Sequence, residues 1–304
     1  MENLVLKALK KPSKAVKKVK RICDHTWEDW LKSKQQLSQE TTIINKKEIR
    51  VLGLMRSGNH AIINWLQSQA KGEVWHLNNL IPKENPYRYK YEHLKDFYYP
   101  KYRCTGELYH REAQGDFTSK DCLIYSYEDY AINQVANDYF EQKHDLYLGK
   151  SQARYDVIII RDPFNLLASR IKKNYLTVKA KNKTVIELWL EYAQEYLGET
   201  QYLKNQKITI NYNQWFRDIT YRQQIAAKLQ LEFTDAGINT VHGCGGGSSF
   251  EGRELNGKGN QMDVENRWQY YQENQLYRTL LANPQLWEYS AKIFGHIPGT
   301  ECLK

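Results

Sequence analysis

Residues Arg56-Ser57-Gly58-Asn59-His60 place a permanent planar cation, a hydroxyl, a glycine and two further hydrogen-bonding side chains in five consecutive positions. The guanidinium suits the oxygens of a phosphate or sulfate, and the glycine lets backbone approach such a group closely. The run lies between an apolar stretch, 49–54, and a helical one, 61–69. A loop that opens a helix turns backbone N–H groups and the positive end of the helix dipole toward an anion. Its natural chemistry is to bind an oxyanion and to stabilise negative charge as it develops. The GxxxxGK[ST] pattern is missing, and with it the Ser or Thr that holds magnesium, so metal-dependent ATP or GTP hydrolysis loses ground. An ordinary strand-to-helix turn with a surface arginine is the competing reading of the same residues.

Other elements must hold that loop in place. A strand is predicted over 73–80, and buried strands open 121–130 and 155–173, the latter passing through Asp162-Pro163 into a helix. Helical spacing covers 188–203, "KITINYNQWF" reads as a strand, "RQQIAAKLQL" as a helix, and the last forty residues as a Trp- and Tyr-rich helix after a glycine-rich loop. Residues 81–118 are rich in tyrosine without clean periodicity, and irregular structure facing an acceptor is expected there. Strands alternating with helices predict an α/β fold with a central, mostly parallel sheet flanked by helices. One domain over 41–304 is expected, preceded by an extension over 1–40.

In this order the segments resemble the sulfotransferases that use 3′-phosphoadenosine 5′-phosphosulfate (PAPS). Their 5′-phosphosulfate loop runs basic residue, Ser-Gly, then two small polar residues opening a helix. Arg56, Ser57 and Gly58 follow that order, and Asn59 and His60 stand where two Ser or Thr residues are usual. The Arg-Ser-Gly start is closer to the tyrosylprotein and many carbohydrate sulfotransferases than to the Lys-type cytosolic branch. The resemblance implies a P-loop NTPase-like three-layer fold, PAPS as donor substrate and no required metal.

It also implies that Arg161 and Ser169, eight residues apart in "VIIIRDPFNLLASR", hold the 3′-phosphate. The carboxyl end of a strand faces the ligand crevice, and two helical turns return Ser169 to the same neighbourhood. Arg161-Asp162 read alone could equally be a surface ion pair. Tyr212 matches the family's tyrosine near adenine, and Ser248, Ser249 and Phe250 in "GGGSSFEGR" match its adenine-contacting segment. The competing reading makes Tyr212 a core residue and the glycine run a flexible loop. The family's closing Arg-Lys-Gly segment corresponds to Arg253 or Lys258 with Gly259, ahead of Trp268 at a longer spacing. For the base that takes the acceptor proton, position favours Glu128, then Asp129, then His76; the acidic pair could instead simply begin a helix. Arg56 would stabilise the leaving oxygen and, staying protonated, cannot serve as a general acid.

Net charge is +9, yet residues 1–22 carry seven Lys and one Arg against one Glu, which leaves +2 for the remainder. That distribution, without a nucleic-acid-reading motif, argues against a nucleic-acid partner. Val5, Ala8, Leu9, Ala15, Val16, Val19 and Ile22 recur at helical spacing among the lysines, predicting a basic amphipathic helix broken near Pro12. Such a helix suits peripheral contact with an anionic membrane through residues 1–22, or is a docked extension with no partner. No stretch is apolar enough to span a bilayer, and the lysines interrupt any secretory h-region. Five scattered cysteines fit a reducing compartment, so a cytoplasmic protein is expected. The function expected is transfer of the PAPS sulfuryl group to a hydroxyl of a saccharide, lipid or other metabolite. A nucleotide kinase or phosphotransferase of P-loop-like fold, and an inactive PAPS-fold adaptor at a membrane, are the alternatives.

Overall fold

The computed structural model describes residues 12–36, 42–98, 100–241, 243 and 247–303. Five strands form one sheet: β1 (Ile43–Gly53), β2 (Val74–Leu77), β3 (Lys120–Glu128), β4 (Lys150–Ile160) and β5 (Gln206–Asn211), in the order β2-β3-β1-β4-β5. Every pairing in it is parallel. A parallel sheet needs both faces covered, which is why β1 is buried without interruption from Arg50 to Gly53 and β4 from Tyr155 to Ile160.

Alternate residues feed two apolar layers. Leu52, Tyr125, Ile158 and Ile160 pack on one face against Leu166, Trp189 and Leu286, from α5 (Pro163–Lys172), α6 (Val185–Leu197) and α10 (Pro284–Phe294). Val51, Ile124, Val157 and Ile210 pack on the other against Ile62, Trp65 and Ile225, from α2 (Asn59–Gln69) and α8 (Ile219–Lys228). Each such side chain contributes about 1.5–3 kcal/mol by leaving water. The outcome is a three-layer α/β fold of P-loop-like topology, with β1 central and its loop and helix at the carboxyl edge of the sheet. Register places Gly53 beside Glu128 and Ile159, and Ile160 beside Asn211, so four strand ends share one edge. That edge, where β1 parts its neighbours, is where open α/β sheets bind ligands.

Several boundaries differ from the sequence expectation. Residues 81–118 are largely helical, in α3 (Pro86–Phe97) and α4 (Arg103–Gln114). Asn85 caps α3 by accepting from the Tyr87 and Arg88 amides, with Pro86 at its first position, and Gly115 at φ 94 ends α4. The start and stop signals were present; the tyrosines that serve as apolar positions blurred the period. The strand expected over 73–80 is shorter, and the helix expected over 188–203 ends at Leu197, where Gly198 turns left-handed. In the last forty residues two helices, α9 (Gln275–Leu281) and α10, replace one. At the other end α1 (Pro12–Gln36) is helical from Pro12 onward, and the expected helix before Pro12, with the break between the two, lies outside the described residues.

Candidate functional site

A cleft opens at the carboxyl edge, lined by Arg56, Glu128, Arg161, Tyr212 and Arg267. Its floor is the β1–α2 loop. Arg56 there has φ 73, a left-handed conformation that costs a non-glycine residue and therefore needs external support. Support comes from neighbours on both sides. Arg161 Nη1 donates to the Arg56 carbonyl at 3.2 Å, and Arg56 Nη2 donates to the Gly247 carbonyl at 3.0 Å. One residue earlier, the Met55 amide donates to Asp129 Oδ1 at 2.8 Å, and Arg170 donates both to the Met55 carbonyl and, through two bonds of 2.8 and 2.9 Å, to Asp129.

Gly58 has φ 86, and a Cβ there would lie 2.0 Å from the Tyr212 ring. Tyr212, the first residue of α7 (Tyr212–Arg217), thus packs directly on the loop and also lies 5.0 Å from the Arg161 guanidinium. Its stacking on Trp215 and Phe216 makes it a core residue, and it also lines the cleft.

Three guanidinium groups converge here. Arg161 follows β4, is 2% exposed, and reaches Ser169 Oγ at 3.4 Å and the Val264 carbonyl. The spacing of eight residues therefore does bring Arg161 and Ser169 together. Asp162 does not pair with Arg161; it caps α5 through the Asn165 amide and accepts from Asn213. From the opposite wall Arg267 donates to the same Ser169 Oγ at 3.3 Å, to Ser248 Oγ at 2.7 Å and to Glu251 at 2.9 Å. Burial and then the Arg267 charge pull the Arg161 pKa down to about 10, and the same two causes lower that of Arg56. Lowered arginine pKa values mean that the cations lack enough counter-charge. Buried Ser57 Oγ, Ser249 Oγ and Arg161 Nε have no hydrogen-bond partner among the described residues. Donors without acceptors around a cationic cleft fit an anion with several oxygens.

Arg267 went unrecognised in the sequence. Arg253 and Lys258, the residues expected to close the site, are exposed and do not line the cleft, whereas Arg267 does. A signal existed, since Arg267 directly precedes the buried Trp268, whose amide donates to Asn165. Gly259 packs on the Asn239 backbone instead of facing a ligand. Phe250 lies beneath Arg267 at 5.1 Å and beside Tyr270, in the turn formed by the Ser248–Gly252 bridge. Ser248 lines the cleft, with buried Ser249 next to it.

Glu128 ends β3, lines the cleft, and accepts from Asn59 Nδ2 at 2.8 Å. Asn59 also donates to the Leu54 carbonyl, so its amide points to Glu128 and the loop base. His60 contacts Asn78 Oδ1 at 3.2 Å, on the β2 side. Asp129 is engaged by Arg170 and Met55, and His76 lies on β2 near Ser126 Oγ at 3.5 Å; neither lines the cleft. Of the three candidates for base, the fold brings Glu128 alone to the cleft.

No family model matches the chain, and no curated protein matches it. Three solved structures are similar in fold. The sulfotransferase domain from the Synechococcus PCC 7002 olefin synthase is 12% identical over 80% of this chain and 97% of its own, with a TM-score of 0.42. Mouse sulfotransferase SULT7A1, complexed with PAP, is 11% identical over 88% of this chain and 91% of its own, with a TM-score of 0.41. The sulfotransferase domain from the curacin biosynthetic pathway is 11% identical over 82% of this chain and 98% of its own, with a TM-score of 0.45.

Proposed function

We propose that the cleft binds PAPS and that the protein transfers its sulfuryl group to an acceptor hydroxyl. The observation that carries this reading is the convergence of Arg56, Arg161 and Arg267, with Ser169 between the last two, at the end of the sheet where Glu128 also emerges. A donor with phosphate at two separate ribose positions supplies the two anionic groups that such a divided cationic site can hold. Arg56 and the N-terminus of α2 serve the 5′ side, while Arg161, Ser169 and Arg267 serve the 3′-phosphate. Phe250, stacked under Arg267, and Tyr212 offer aromatic faces for the adenine.

In the transfer, an acceptor oxygen forms a bond to sulfur as the bond from sulfur to the 5′-phosphate oxygen breaks. Glu128 takes the acceptor proton, held in orientation by Asn59. Arg56 and the α2 dipole stabilise the charge left on the departing adenosine 3′,5′-bisphosphate. The loop supplies no Ser or Thr where a P-loop enzyme holds magnesium, since His60 stands at that place, two residues after Gly58; metal-independent transfer is therefore proposed. The Arg-Ser-Gly loop directs attention to saccharide acceptors first, then lipids and other metabolites. Thiols at Cys23, Cys104 and Cys302 are exposed, in keeping with work in a reducing, cytoplasmic compartment.

Incubation with sulfur-labelled PAPS and acceptor panels of these three classes tests the proposal. Label is expected to appear in an acceptor, with equimolar adenosine 3′,5′-bisphosphate released and no added metal. Transfer of phosphate from ATP·Mg to those panels, with PAPS left intact, would assign the cleft to a phosphotransferase.

A further inference from the structure

The long helix α1 is amphipathic in the reverse sense from a helix that packs on a core. Its inward side is charged: Asp29 and Lys32 are buried, Asp29 receiving bonds from Arg88, Lys143 and Tyr147 at 2.7, 3.1 and 2.8 Å, and Lys32 reaching the Ala113 carbonyl at 3.2 Å. Its outward side carries an apolar stripe, with Asp24 and Glu28 exposed beside it. Val16, Cys23, Trp27 and Trp30 follow one another at steps of seven, four and three residues, on one helical stripe, and are exposed. Exposure is 67% for Val16, 60% for Trp27, 49% for Trp30 and 41% for neighbouring Leu31, and the two indoles stack at 5.0 Å. Lys20 and Lys34 flank the stripe and are exposed as well.

Contacts of Asp29 with Arg88, and of His25 and Arg21 with Glu92, set α1 antiparallel to α3. The lysine-rich half of α1 therefore runs toward the α3–α4 turn, where Phe97, Tyr98 and Tyr102 are exposed beside Lys95 and Lys101. Residues 1–22 carry a net charge of +7.

We infer that α1 docks the protein on an anionic lipid surface, with Trp27 and Trp30 as its interfacial anchors. Indoles exposed on a helix flanked by lysines suit the boundary between headgroups and acyl chains, where ring and N–H are both satisfied. Charge selects lipid over a second copy, because pairing two such helices would oppose like charges, seven Lys and Arg against three Asp and Glu giving +4 on each. Docking by α1 is independent of what the cleft binds. It moves the membrane contact from residues 1–22 alone to a stripe that extends to Trp30.

The test uses the full chain in flotation with vesicles of phosphatidylcholine, and of phosphatidylcholine mixed with phosphatidylserine, the acyl chains brominated in a parallel set. Binding is expected on the anionic vesicles only, with quenching of tryptophan emission by the brominated chains. Trp65, Trp189, Trp215 and Trp268 are buried and Trp75 and Trp287 are half-buried against the core, so the quenching lost in the double substitution reports on the exposed Trp27 and Trp30. Salt should weaken binding steeply, since each lysine near the surface contributes about fivefold. Trp27→Ser with Trp30→Ser should lower the bound fraction about tenfold or more while leaving the thermal midpoint unchanged. Four results would overturn the inference: equal or absent binding to both vesicles, binding without quenching, binding unaffected by the double substitution, or a dimer in sedimentation that the double substitution dissolves.

Discussion

Replacing Arg161 by Met should separate recognition of the 3′-phosphate from that of the rest of the nucleotide. Arg161 is 2% exposed and donates to Ser169 Oγ, the Arg56 carbonyl and the Val264 carbonyl, and it has no carboxylate partner among the described residues. Met fills most of the same volume and removes a cation that Arg267 and Arg56 repel, so the fold should change by no more than about 2 kcal/mol. A hydrogen bond from a charged group is worth about 1.5–3 kcal/mol, or roughly 10- to 150-fold in affinity. Calorimetric titration should therefore show adenosine 3′,5′-bisphosphate weakened by about that factor. Adenosine 5′-monophosphate, which lacks the 3′ group, should change by less than about threefold. Unchanged bisphosphate affinity, or an equal loss for both nucleotides in a folded variant, would refute the placement of the 3′-phosphate.

Arg267→Met should weaken the bisphosphate by a similar factor of about 10–150, whereas Arg253→Met and Lys258→Met should leave it unaltered; titration of the three variants decides which basic residue closes the site. Glu128→Gln should reduce sulfuryl transfer by about a hundredfold or more with bisphosphate affinity retained, and near-normal turnover would remove Glu128 as the base. A pH effect is expected away from the cleft. Burial pushes His144 down, but the Glu48 carboxylate and a bond to Asp145 outweigh it and raise its pKa to about 9 from 6.5. Its stabilisation is complete below pH 6.5 and is lost as pH rises through 9, about 3 kcal/mol in all. Lys32, which burial and then Arg88 depress to about 7 from 10.5, runs the other way: its penalty is relieved between pH 7 and 10.5. The urea midpoint of the native chain should thus stay nearly level from pH 7 to 9, and that of His144→Gln should rise; a fall in the variant would contradict the assignment.

The loop at Arg56 and the pair Arg161 and Ser169 were legible because their logic is local. Each spans one strand end and the first turns of one helix, so spacing alone fixes the geometry. Glu128 was legible for the same reason, as the last residue of an apolar strand. Arg267 was not, because it enters from a segment of turns and short 3₁₀ helix whose path depends on Ser248, Glu251 and Asn165, none of them near in sequence. Asp129 looked like a possible base since a carboxylate beside Glu128 carries no mark of its partner; only the fold shows Arg170 gripping it. The helices over 86–97 and 103–114 escaped notice because Tyr87 and Tyr109 fill the core there in place of aliphatic residues. In α1 the hydrophobic pattern read as helical, but the face that docks on the protein was not legible, since buried Asp29 and Lys32 find partners on α3, α4 and the segment before β4.

The cleft is proposed as a metal-independent site for a nucleotide with phosphates at both the 3′ and 5′ positions. Titration of the purified chain with adenosine 3′,5′-bisphosphate and with ATP, each with and without magnesium, tests it most directly. Bisphosphate binding is expected that magnesium does not alter and that exceeds ATP binding by at least about tenfold. Magnesium-dependent ATP binding of equal or greater strength, with indifference to the 3′-phosphate, would contradict it.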